Sequence, residues 1–160
     1  MRPKLKAILG LIGAAMFAGL LMVRPAAGET VIHVVLPVDG LATKYVDIGH
    51  DGLRLGDRVA ARGWLVDENE SERVGTAYFE CLVQKRIVDS SQGLYNCTYV
   101  LKLADGDIIL KGLDPRGEGA SEFAVLGGTE AYGTATGDAT FTDTGTDISA
   151  DTEIVIRLAS

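Results

Sequence analysis

Residues 123–141 read FAVLGGTEAYGTATGDATF. Two short runs of alternating apolar residues flank Gly127-Gly128, and Gly133, Ala135, Gly137 and Ala139 follow at close spacing. Glycine inside strand-like sequence marks a bend, a bulge or a close approach of two backbones. A cluster of this kind belongs where a small closed sheet turns a tight corner.

The segments on either side keep the same character. Upstream, Asp105-Gly106 is a hairpin signal, and Asp107–Leu113 follows with Ile108 and Leu110 on one face. Glu122–Leu126 enters the corner after a loop at 114–119. Tyr132–Thr142 leaves the corner with Ala139 and Phe141 inward. Asp151–Leu158 closes the chain, with Ile154, Ile156 and Leu158 opposing Glu153 and Arg157.

Further upstream, Val74–Arg86 places Ala77, Phe79, Cys81 and Val83 on one face and Thr76, Glu80 and Gln84 on the other. Tyr95–Leu103 repeats the pattern, Cys97, Tyr99 and Leu101 opposing Asn96, Thr98 and Lys102. Both cysteines therefore fall on the apolar face of neighbouring antiparallel strands, and the count of two fits one disulfide in an oxidising compartment. A free reactive thiol is the other reading, but no His or Lys partner is spaced to lower a thiol pKa. Val59–Val66 alternates with Arg58 and Arg62 outward, and the acidic run 67–72 is a solvated turn. Thr30–Val38 is the first strand, ended by Pro37. Leu41–Arg54 reads as loop, with a short strand at Lys44–Ile48 as the alternative.

The fold class is thus all-β: eight strands, the number that closes a small antiparallel barrel, with a two-layer sandwich as the competing arrangement. Barrel closure removes sheet edges that would otherwise need protection.

Residues 1–28 stand apart. Arg2, Lys4 and Lys6 precede an uncharged apolar run from Ala7 to Val23, and Ala26-Ala27-Gly28 offers small residues for cleavage before Glu29. This is the layout of a secretory signal peptide, with an uncleaved anchor as the alternative, and implies export. Residues 29–160 then form the single domain, enough to bury a core. The whole chain carries a net charge of −7. Residues 1–28 hold four cations and no acid, so the remainder has 11 Lys and Arg against 22 Asp and Glu, a net of −11. Such a chain is not expected to bind nucleic acid through bulk electrostatics. His33 and His50 show no metal-ligand spacing to the cysteines, and no metal or cofactor is expected. The triplets Asn69-Glu70-Ser71 and Asn96-Cys97-Thr98 match the N-glycosylation pattern but are discounted, because the leader and loops have a bacterial style.

Several motifs, taken in order, resemble the allene oxide cyclase and dirigent barrel families. The pattern GGT-x-x-Y-x-x-A-x-G from Gly127 to Gly137 resembles their late strands. Gly56-Asp57-x-Val59, then Arg73-Val74-Gly75 with Cys81, resemble segments of allene oxide cyclases, as do Thr98-Tyr99 and Gly112. The resemblance runs from about Gly56 to Phe141. It implies a secreted eight-stranded barrel binding a small hydrophobic molecule in its lumen and directing a cyclisation or stereoselective coupling by confinement. It also implies assembly as a dimer or trimer, for which outward Ile109, Tyr78 and Leu82 are available. Plant-type allene oxide cyclase activity is not expected, because the first strand, TVIHVVLPV, lacks the family's Glu and Asn, and Gly63 falls where the family has Asn. The alternative is a non-catalytic binding or structural barrel filled by its own side chains.

The lumen candidates are His33, Ala61, Phe79, Cys81, Tyr95, Tyr99 and Phe141. Inward aromatics are more often core than pocket. His33 shares parity with Val31 and Val35, so it points into the lumen or to solvent. Asp57 precedes a strand, where Asp is ordinarily a turn residue.

Overall fold

The computed structural model describes residues 28–48, 54–86, 93–115, 119–144 and 150–159. The leader reading of residues 1–28 falls, apart from Gly28, outside the described residues, as do His50 and Arg116 to Glu118.

Alternating side chains produce nine antiparallel strands. These are β1 (Glu29–Leu36), β2 (Ala42–Val46), β3 (Arg58–Asp67), β4 (Arg73–Arg86), β5 (Gly93–Leu103), β6 (Gly106–Pro115), β7 (Ala120–Gly128), β8 (Thr136–Asp143) and β9 (Thr152–Ala159). Consecutive strands pair from β3 to β9, β9 pairs β1, and β1 pairs β3. Eight strands thus close a barrel, and β2 lies outside it on β3. The inward positions form one continuous core, with Leu65, Leu101, Ile108, Leu110, Ile154 and Ile156 fully buried. Full burial of each such side chain contributes about 1.5–3 kcal/mol.

The closing seam is narrow. Val34 and Val35 pair with Asp67 and Val66, against eight paired positions between β1 and β9. Pro37 has no N–H for the ladder and fixes its own φ, so the chain leaves β3 there. It makes a 3-10 turn at Val38–Gly40 and rejoins β3 as β2, where Ala42 to Val46 pair with Arg62 to Arg58. The short strand read as an alternative at Lys44–Ile48 is present two residues earlier. Trp64 fills the outer side of the excursion, its ring against Gly40, where a β-carbon would come within 2.5 Å of the indole.

The Gly-Gly corner is a bulge. Pairing between β6 and β7 steps from Ile109↔Gly127 to Leu110↔Val125, leaving Leu126 as the extra residue. Gly127 has φ 114°, and Gly128 lies so close to the Asp107 carbonyl that no side chain would fit. The corner then forms a 3-10 turn at Glu130–Tyr132, so β8 begins at Thr136 rather than at Tyr132. The hairpin between β5 and β6 also shifts by one residue. Ala104 and Asp105 form its turn, with Leu103 opposite Gly106.

β2, β4, β6 and β8 end at one rim of the barrel, where β3, β5, β7 and β9 begin. The opposite rim carries the turns at 67–72, 104–105 and 129–135, together with Glu29 and Ala159, which pair directly.

Candidate functional site: an aromatic lumen with a polar rim

Cys81 and Cys97 occupy opposed positions on β4 and β5, with Cα atoms 4.0 Å apart, and form the disulfide. Both are buried in the lumen. The period-2 pattern places them there because Ala77, Phe79 and Val83 on β4, and Tyr95, Tyr99 and Leu101 on β5, share their inward faces.

Above the disulfide the lumen is crossed by four aromatic rings. Phe79 and Tyr99 are opposed on β4 and β5 and stack at 4.8 Å between centroids. Tyr99 meets Phe123 edge-on at 5.2 Å and Phe141 at 4.7 Å, and Phe123 meets Phe141 at 4.4 Å. The first three separations lie in the favourable range for ring pairs, and the last is at its lower edge. The rings come from β4, β5, β7 and β8, so they bridge the interior rather than line one wall.

Toward the rim where β5 begins, the inward positions turn polar. Tyr95 stands opposite Asp114, and Phe141 stands opposite Ser121. The Ser121 hydroxyl, on a residue only 6% exposed, donates to Asp114 Oδ1 at 2.9 Å. A carboxylate with a hydroxyl donor at the end of an aromatic passage can accept a hydrogen bond from a ligand O–H or take up its proton.

Of the lumen candidates, Ala61, Phe79, Cys81, Tyr95, Tyr99 and Phe141 all lie in the buried core. His33 does not. Val34 and Leu36 take the inward positions of β1, which turns His33 to the outer face. There its Nδ1 is 3.0 Å from Glu68, across the closing seam, and its Nε2 is 2.7 Å from Glu153 on the other neighbour, β9. Asp57, 1% exposed, accepts backbone N–H groups of Ile48 at 2.9 Å and Arg54 at 2.6 Å. Its carboxylate is occupied by the turn before β3, as expected for Asp at that place.

Asp114 and Ser121 were not among the candidates read from sequence, because 114–119 reads as loop and the next strand reads as starting at Glu122. The signal was present: Ile108, Leu110, Gly112 and Asp114 keep one parity, and β6 runs on to Pro115.

No protein-family model matches the sequence, and neither does any curated protein. The likeness is to solved structures. A pterocarpan synthase dirigent protein, PsPTS1, superposes with a TM-score of 0.68 at 19% identity, over 85% of this chain and 97% of that one. A nonspecific heme-binding cyclase, described as catalysing a 4 + 2 cycloaddition during neoabyssomicin biosynthesis, gives 0.66 at 15% identity, over 85% and 68%. A pyocyanin demethylase gives 0.64 at 19% identity, over 81% and 100%. The fold is therefore that of the dirigent and cyclase barrels, as the motif resemblance implied.

Proposed function

We propose that the barrel binds a small hydrophobic, unsaturated molecule between the aromatic rings and the Tyr95 rim, and directs its cyclisation or coupling by confinement. The observation that carries this reading is the junction of the ring cluster with the Asp114–Ser121 pair: an apolar floor with a single anchored carboxylate at its edge. Ligand sites combine apolar walls with a few placed polar groups in this way. The floor would fold a flexible polyene or phenolic into one shape, and Asp114 would orient its hydroxyl or carbonyl end. Holding reacting carbons in a near-attack geometry lowers the barrier entropically and needs few catalytic groups. The neighbouring folds, a pterocarpan synthase dirigent protein and a cyclase that catalyses a 4 + 2 cycloaddition among them, support the reading by analogy of architecture. In the same proposal the protein is exported by its N-terminal segment, and any homo-oligomer would use the outward residues Tyr78 and Ile109, leaving Leu82 uncovered.

A second reading has its own support. Ring centroids 4.4–5.2 Å apart across the lumen leave the barrel's middle filled by its own side chains, as in a purely structural or binding barrel. Native mass spectrometry of the purified protein, with titration of an apolar fluorescent dye, separates the two. A copurified small molecule, or saturable dye binding weakened by Asp114→Asn and by Tyr95→Ala, is expected. Absence of both a copurified molecule and saturable binding would leave the filled barrel.

A further inference from the structure

The outer wall is electrically divided. On the outward positions of β3–β6 stand Arg58, Arg62, Arg73, Lys102 and Lys111, opposed by Glu80 and Asp107. On the outward positions of β7–β9 and β1 the balance reverses, with Glu29, Glu122, Asp138 and Glu153 against Arg157. A net-acidic chain has thus gathered cations on one face.

In the middle of that face lies a groove of about 250 Å³, lined by Arg58, Glu80, Leu82, Asn96, Thr98 and Lys111. The strand register explains its shape. Arg58, Leu82 and Asn96 form one cross-strand row, and Glu80, Thr98 and Lys111 the next. The shorter Asn96 and Thr98 make the floor, between the longer Arg58 and Glu80 on one side and Lys111 on the other. Arg58 Nη1 donates to Glu80 Oε1 at 2.9 Å, which fixes that wall. Asn96, Thr98 and Lys111 make no side-chain hydrogen bond or ion pair among the described residues.

We propose that this groove, on the outside of the barrel and separate from the lumen, binds a small hydroxylated carboxylate of sugar-acid size. Lys111 would receive the carboxylate as a charge-assisted partner. The Asn96 amide and Thr98 hydroxyl offer donors and acceptors to ring hydroxyls, and Leu82 presents an apolar surface to a ring face. Glu80, held by Arg58, accepts from a hydroxyl and repels a second negative charge. The groove therefore favours one carboxylate with several hydroxyls over a bare anion. Its volume sits just under the usual range for ligand sites, which suits a monosaccharide-sized molecule.

The test is a set of nitrogen-15 NMR titrations of the labelled protein with D-glucuronate, D-glucose and acetate. Glucuronate should give saturable shifts confined to the outward residues of β3–β6, with glucose and acetate each binding at least roughly fivefold more weakly. Lys111→Gln should weaken glucuronate by roughly fivefold, the scale of one exposed charge pair. Thr98→Val should weaken glucuronate and leave acetate unchanged. Spectra of both variants report whether the barrel is intact, since both substitutions are on its outer face. Absence of saturable glucuronate shifts, equal binding of glucose, or an unchanged affinity in Lys111→Gln overturns the proposal.

Discussion

Cys81 and Cys97 face each other across β4 and β5, and their sulfur bridge lies inside the barrel beneath the stacked rings of Phe79 and Tyr99. The bridge joins strands that are already hydrogen-bonded neighbours, so its effect is on the unfolded chain. A crosslink closing a loop of about 15 residues removes chain entropy equivalent to about 3 kcal/mol. Reduction, or replacement of both cysteines by alanine, should lower the unfolding free energy by that order with the strand content retained. Denaturant titrations with and without reductant measure it, and coincident curves would contradict the prediction.

Phe141 touches both Tyr99 and Phe123 and is 5% exposed. Phe141→Ala should cost about 3–5 kcal/mol of stability, the usual range for emptying such a site. The space lies next to Ser121 and the polar rim, so apolar dye binding should increase in the same variant. A destabilised protein with unchanged dye binding would show that the interior collapses around the missing ring.

Asp67 is the acid that ties the β3–β4 turn. Its carboxylate accepts the backbone N–H groups of Glu72 and Ser71 at 2.7 Å each and the Ser71 hydroxyl at 2.9 Å. These bonds, that from Glu72 foremost, hold its pKa down at about 2, from 3.8. A carboxyl with a depressed folded pKa contributes stability that is complete above the ordinary value and lost as pH falls toward the folded one. The acid limb of the stability curve should therefore be steeper in the native protein than in Asp67→Asn between about pH 4 and pH 2. Melting temperatures across that window check it, and parallel limbs would assign the acid response elsewhere.

Trp64 is the only tryptophan of the chain, and its indole packs on Gly40 beside the closing seam. A β-carbon at residue 40 would stand 2.5 Å from the ring, so Gly40→Ala must displace the indole toward solvent. The expected result is red-shifted tryptophan emission together with faster amide exchange at Val34, Val35 and Val66, three of the four paired residues of the seam. Unchanged emission would mean that the 3-10 turn, rather than the ring, gives way.

Much of this architecture could be read from alternation alone. The inward faces of β4, β5, β6 and β9, the opposed cysteines and the bend at Gly127-Gly128 follow from period 2 and from the steric freedom of glycine. β1 resisted the same reading because TVIHVVLPV is apolar at both parities. Alternation groups His33 with Val31 and Val35 but does not say which side is wet. The neighbours of His33, Glu68 and Glu153, lie 35 and 120 positions away, and only the folded chain brings them together. β2 was indistinct because all five of its residues are exposed, leaving no buried side to shape the pattern. Asp114 was missed for a related reason: a charged residue beside Pro115 looks like loop until the register carries β6 past it.

The pairing of Glu29 with Ala159 brings the described ends of the barrel together at the rim opposite Tyr95. Anything joined at either side, such as a leader retained as a tether or an engineered fusion, would hold the cylinder by its base. The mouth bearing Asp114 and Ser121 would then look outward, so immobilising the protein through either terminus should leave that entrance unobstructed.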